Sequence, residues 1–183
     1  MYHFDLFDVM KELSEKDIVS VQLLQSPDIN KWKKHVNEEN IPFFIENEFE
    51  AHRRVKSDKF DELASEINYI FKPTVLLPQY LPEPIVFNDM WIYCLRRHGW
   101  KIPQQEQEKF RFCSIFLVLE GVGEVIIHDN VKNRVKSKIS AEPGSMVIIR
   151  GPGFGNNETI PWYYGSCTSD TMTLIALRHN STK

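Results

Sequence analysis

The sequence predicts an α+β fold in which a helical N-terminal region packs on the outside of an antiparallel β-structure. Two observations carry this expectation. Apolar residues recur at helical spacing through residues 1–72, and from residue 88 onward short apolar runs are punctuated by Gly, Pro, Asn and Asp. Size supplies a third: 183 residues, 42% of them apolar, suffice for one domain with its own core, without disulfides or a structural metal.

Leu6, Val9, Met10 and Leu13 make one stripe, which predicts a first helix. Ser26-Pro27 places an N-cap residue before a proline at the first helical position, and Ile29, Trp32 and Val36 then share a face. Ser57 or Asp58 caps a third helix whose apolar residues are Phe60, Leu63, Ala64, Ile67 and Ile70, and Pro73 ends it. Residues 73–87 are a proline-punctuated connector that cannot be helix and reads as a structured linker or edge segment. Strands are expected at 90–95, 114–119, 124–128, 135–139, 145–150 and 171–177, inside a β-unit spanning 88–179.

A net charge of −3 and a pI near 6.1 argue against binding nucleic acid through bulk electrostatics, although a local basic stripe stays open. The three cysteines, Cys94, Cys113 and Cys167, show neither CxxC nor zinc-ligand spacing, and the two last read as core residues. The acidic, amphipathic N-terminus lacks the basic flank and apolar stretch of a signal peptide, and no apolar run approaches a membrane span. The expectation is an intracellular, soluble protein of cytoplasm or nucleus.

The stretch Ser114-Ile-Phe-Leu-Val-Leu-Glu-Gly121, then GEVIIHD, then Pro143-Gly144-Ser-Met-Val-Ile-Ile149, has strands entering and leaving glycine turns in the layout of a double-stranded β-helix, or jelly roll. Cupins, cyclic-nucleotide-binding domains and 2-oxoglutarate dioxygenases share it. Phe87-Asn88 before a strand, the run from Gly144 to Pro161, and an ending at Leu174-Ile-Ala-Leu-Arg178 together resemble the AlkB-type 2-oxoglutarate/Fe(II) dioxygenases over residues 87–178.

That resemblance implies an iron held by two histidines and a carboxylate, with open positions for cosubstrate and oxygen. Its H-x-D positions fall here on Gln105 and Gln107, and its distal histidine falls within Asn156-Asn157-Glu158. A neutral amide is a poor ligand for ferrous iron. The positions implied for the cosubstrate carry Tyr93, Leu95 and Met172, and only Arg178 matches the second arginine of the last strand. Shifting the register by one offers Gln104, Glu106 and Glu158, a set that suits magnesium or calcium better. The expectation is a relative without iron-dependent catalysis and without a cofactor, the alternative being Fe(II) and 2-oxoglutarate.

The remaining histidines, His3, His35, His52, His98, His128 and His179, are scattered and read as solvated or hydrogen-bonded residues. The glycine-rich run from Gly151 to Asn157 lacks the Lys-Ser/Thr of a phosphate loop and reads as a tight β-loop. Partner contacts are expected from Arg96, Arg97, Lys132, Arg134, Lys136, Lys138 and the cluster Trp162, Tyr163, Tyr164, in which alternation buries one ring. The alternating basic residues suit either a phosphate backbone or an edge strand guarded against self-pairing.

The functional expectation is therefore a module binding protein or nucleic acid. The alternatives are an active metal-dependent dioxygenase, a metal-free cupin-type enzyme using His128 or a tyrosine as acid or base, and a structural subunit of a larger assembly.

Overall fold

The computed structural model describes residues 4–39, 42–46, 50–55, 57–97, 108–129 and 134–182. Three α-helices form where their apolar stripes place them. Helix α1 (Leu6–Lys16) starts where the Asp5 carboxylate accepts from Phe7 N at 2.7 Å, ends at Asp17 in the left-handed region (φ 63°), and buries Val9, Met10 and Leu13. In α2 (Ser26–Glu38) the capping position is Gln25 rather than Ser26, which is itself the first helical residue, and Trp32 and Val36 are buried. A 3-10 turn at Asp58–Phe60, capped by Ser57 Oγ accepting from Lys59 N at 3.1 Å, leads into α3 (Asp61–Phe71) with Leu63, Ile67 and Phe71 buried.

The start of the connector is helical, against the expectation that it cannot be. Lys72–Leu76 forms a second 3-10 turn, because Pro73 sits in its opening positions, where the missing N–H has no intrahelical partner to lose.

Among the described residues the strands are β1 (Ile18–Gln22), β2 (Phe44–Ile45), β3 (Glu50–Arg54), β4 (Asp89–Arg96), β5 (Phe110–Glu120), β6 (Gly123–Asp129), β7 (Arg134–Ala141), β8 (Ser145–Arg150), β9 (Trp162–Cys167) and β10 (Thr171–Asn180). Every pairing is antiparallel. One sheet runs β1-β8-β5-β10-β4-β3-β2 and a smaller one runs β7-β6-β9. Residues 1–72, expected to be helical throughout, thus also supply three strands that extend both edges of the larger sheet. The larger sheet needs those edges, since β8 and β4 would otherwise present unpaired backbone beside the core.

The two sheets face each other across Phe116, Val118, Val125, Ile127, Val147, Ile149, Leu174 and Ala176. The opposite face of the larger sheet, with Ile115, Leu117, Ile148 and Ile175, packs on Met10, Leu13, Trp32, Leu63 and Ile67 of the helices. Both faces of β5 are therefore covered, which is why it reads as a continuous apolar run rather than an alternating one.

Charged side chains tie the helical layer down. Arg53, 7% exposed, donates to the carbonyls of Val36 and Glu39 and so satisfies the end of α2, which has no capping glycine. Asp17, 6% exposed, lies 2.5 Å from both Arg150 Nε and Lys136 Nζ, and Arg150 also donates to Thr159 O at 2.7 Å. Among the described residues, no helix is long and apolar enough to cross a membrane.

Candidate functional site

The sandwich has a polar end and an apolar end. At the polar end, where β5 and β4 begin and β10 finishes, Arg178 stands opposite Asp89 on one side and Ser114 on the other. Arg178 is 5% exposed. Its Nη2 donates to Tyr93 Oη at 3.2 Å, and its guanidinium carbon lies 5.1 Å from the Phe110 ring centre, 5.5 Å from Phe116 and 5.6 Å from Tyr93. Rings around a cation compensate in part for its lost hydration.

Beside it, Asp89 accepts from Arg54 and, at 2.8 Å, from Trp91 Nε1. Alternation along β3 sends His52 to the same face, where its ring lies 5.3 Å from Phe44, 5.5 Å from Trp91 and 5.6 Å from Tyr93. Burial pushes the His52 imidazole below its usual range; the Glu46 carboxylate opposes this, and the Arg178 charge adds to it.

At the other end the interior is mostly apolar, with Phe116, Glu124 and Ser166 also on its wall. Leu95, Val118, Val125, Ala141, Val147, Met172 and Leu174 line a cavity of only about 10 Å³. A space of roughly 10–15 Å³ is what a single water needs. No dicarboxylate fits there without moving several buried side chains.

The sequence-derived site residues scatter. Glu158 lies on the loop between β8 and β9, 66% exposed, with its carboxylate 2.9 Å from Arg111, so it is not an interior ligand. Arg178 is inside, as its place on the last strand suggests. Tyr163 is 3% exposed and faces Phe116 at 6.2 Å, whereas its neighbour Trp162 is 39% exposed, which is the expected alternation. Tyr164 lies on β9, its side chain outside the described set. His98, Gln104, Gln105, Glu106, Gln107 and Lys132 lie outside the described residues.

The basic residues do not make one surface. Lys136 is held by Asp17 and Lys138 by Glu124 at 2.7 Å, while Arg134 is exposed near them. Arg96 and Arg97 sit at the other end of the molecule from Trp162: Arg96 pairs with Thr171 at the β9–β10 turn, and Trp162 pairs with His128 at the far end of β6. The glycine-rich loop is a tight turn anchored by Phe154, buried and stacked on Tyr80 at 5.7 Å. His52, Asp89, Arg54 and Trp91 were not anticipated as a group. The signal for them was the alternating Glu50, His52, Arg54 in a segment read as helix.

The positions that the resemblance assigns to the first iron ligands, Gln105 and Gln107, lie outside the described residues. No three His, Cys, Asp or Glu side chains among them converge to hold a metal. Of the buried arginines among them, Arg53 serves α2, Arg150 serves Asp17, and Arg178 donates to Tyr93.

No protein-family model and no curated protein matches the sequence. Solved structures do resemble the fold. A 2OG-Fe(II) oxygenase family oxidoreductase from Burkholderia pseudomallei superposes with a TM-score of 0.66 at 10% identity, over 98% of this chain and 91% of that one. A prolyl hydroxylase from Trichoplax adhaerens, in complex with a hypoxia inducible factor peptide fragment, gives 0.65 at 9% identity, over 98% and 96%. The viral collagen prolyl hydroxylase of Paramecium bursaria Chlorella virus-1 gives 0.64 at 10% identity, over 93% and 98%. The chain has the double-stranded β-helix fold of the 2OG-Fe(II) oxygenases, as the glycine-turn layout predicts.

Proposed function

We propose that this double-stranded β-helix works by binding a protein partner and not by iron-dependent oxidation. The observation that carries the reading is the filled interior: Leu95 and Met172 stand among mostly apolar side chains, with Glu124 the charged residue of the wall, around a space of about 10 Å³. A carboxylate placed there would lose its hydration with no cation to replace it, a penalty of several kcal/mol. Gln105 and Gln107 add nothing that ferrous iron prefers.

Protein is favoured over nucleic acid because two lysines of the basic strand are already neutralised, Lys136 by Asp17 and Lys138 by Glu124. A phosphate would have to displace those carboxylates, and the overall charge of −3 adds repulsion.

Iron(II) with 2-oxoglutarate is expected to shift the melting temperature by less than about 1 °C, because a ligand stabilises only in proportion to its binding to the folded state. A clear rise at micromolar iron, or succinate release above background, overturns the reading. A labelled oligonucleotide is expected to show no saturable binding at low salt. Binding that weakens steeply with salt, and whose slope is flattened by Lys136→Ala with Lys138→Ala, would restore the nucleic-acid alternative.

A further inference from the structure

We infer that His52 is a pH-sensitive latch for the edge strands β2 and β3, holding them against β4 while its ring is neutral and loosening them when it takes a proton. These two strands form one edge of the larger sheet, and β3 meets β4 through five residue pairs, from Glu50 with Leu95 to Arg54 with Trp91. His52 is the middle residue of that contact. It stands opposite Phe44 on β2 and opposite Tyr93 on β4, and its ring meets Phe44, Trp91 and Tyr93 at 5.3, 5.5 and 5.6 Å. One imidazole thus joins three strands.

The surroundings suit that imidazole uncharged. Its side chain is 20% exposed, and Nδ1 is buried without a hydrogen-bond partner among the described residues. The Glu50 carboxylate lies 3.9 Å from Nδ1, outside hydrogen-bond reach. An imidazolium donates from both nitrogens, so protonation would leave a charged N–H buried with no acceptor in place.

Charged and titratable groups face the ring from every strand packed around it. Glu46 follows β2, Glu50 and Arg54 are on β3, Asp89 and the Tyr93 phenol are on β4, and Arg178 is on β10. Arg54 and Asp89 are paired with each other. Glu46 and Glu50 favour the charged ring, and Arg178 disfavours it. Burial is the largest influence and acts with Arg178 against Glu46, so the docked imidazole takes its proton below the usual range for histidine.

Such a group contributes stability that is present above the value of the free side chain, about 6.5, and is lost as the pH falls through the depressed one. The other ties of β3 run through arginines, Arg53 to the carbonyls of Val36 and Glu39 and Arg54 to Asp89, and these cations keep their charge throughout. Acid therefore weakens the contact at His52 and raises the frequency with which β3 opens from β4. Each opening leaves β4 as a sheet edge and uncovers Trp91 and Tyr93 beside Arg178. The latch does not depend on what the protein binds.

The test is amide hydrogen exchange of the whole chain, read by mass spectrometry at steps from about pH 7.5 to about pH 5 and corrected for the intrinsic pH dependence of exchange, with β5 as internal reference. Protection of β3 relative to β5 is expected to fall about threefold or more across that range. His52→Phe keeps a ring among the other three and should hold the ratio constant. Glu46→Gln removes a carboxylate that favours the charged ring, and should move the midpoint to lower pH with neutral-pH protection unchanged. A ratio in the unsubstituted chain that does not change with pH, or one that falls equally in His52→Phe, overturns the latch. Should His52→Phe fail to fold, Glu46→Gln decides, and an unmoved midpoint overturns it as well.

Discussion

Asp17→Asn should lower the stability of the fold by about 3–5 kcal/mol in urea unfolding, because it leaves the Arg150 guanidinium buried without its counter-charge. Arg150 is 4% exposed and Asp17 6%. Asparagine tolerates the left-handed backbone that position 17 adopts (φ 63°), so the loss measures the charge and not the turn. For a chain of this length that is roughly a 10 °C fall in Tm. Lys136→Met removes the other cation on the same carboxylate, but its side chain is 40% exposed, so about 1 kcal/mol or less is expected. Adding Arg150→Met to Asp17→Asn should recover part of the loss, since no buried charge is then left unpaired. Equal losses for Asp17→Asn and Lys136→Met would show that water reaches Arg150 and would sink the prediction.

Gly121→Ala is the second large effect. Gly121 turns β5 into β6 at φ +80°, and a Cβ there would sit 2.1 Å from Thr171 O and 2.8 Å from Met172 Cα, both backbone atoms of β10. The left-handed conformation alone costs about 1–2 kcal/mol for a residue with a Cβ, and the collision requires two paired strands to separate. A total of about 3 kcal/mol or more is expected, read as a fall in Tm or urea midpoint. Gly155→Ala is the matched control: φ is +58° but the nearest atom is 3.7 Å away, so only the backbone cost of about 1–2 kcal/mol applies. Losses of the same size in both variants would mean that the β5–β6 turn relaxes freely.

Much of this fold was legible because the local pattern and the burial agree. The α3 stripe, the β5 run and the glycine turns around Gly121 and Gly144 each specify one conformation, and the double-stranded β-helix follows from their order. The strand β1 was hidden because Ile18 faces the sheet interior while Val19 packs towards the helices, so it shows no alternation between α1 and α2. The strand β3 was hidden for the opposite reason. Its buried residues Glu50 and Arg53 are charged, and its inward histidine meets Trp91 and Tyr93 rather than aliphatic neighbours.

Of the site, single-residue chemistry was legible and pairing was not. Gln105, Gln107 and Met172 can be read one by one against what iron and a dicarboxylate need. The partnerships of Arg54 with Asp89, and of Asp17 with Arg150 across 133 positions, depend on strand order that no local pattern encodes.

The pairing of β1 with β8 sets Gln22 against Ser145 and Ile18 against Ile149. During synthesis the N-terminal partner therefore leaves the ribosome long before the strand it needs, and at ~5–20 residues per second the wait is on the order of ten seconds. Helices α1 and α2 spend that interval with Met10, Leu13 and Trp32 uncovered, since the sheet face they pack on belongs to β5 and β8. In the test tube, the same delay makes refolding a contest between long-range strand pairing and aggregation, one that dilution tilts towards the native state.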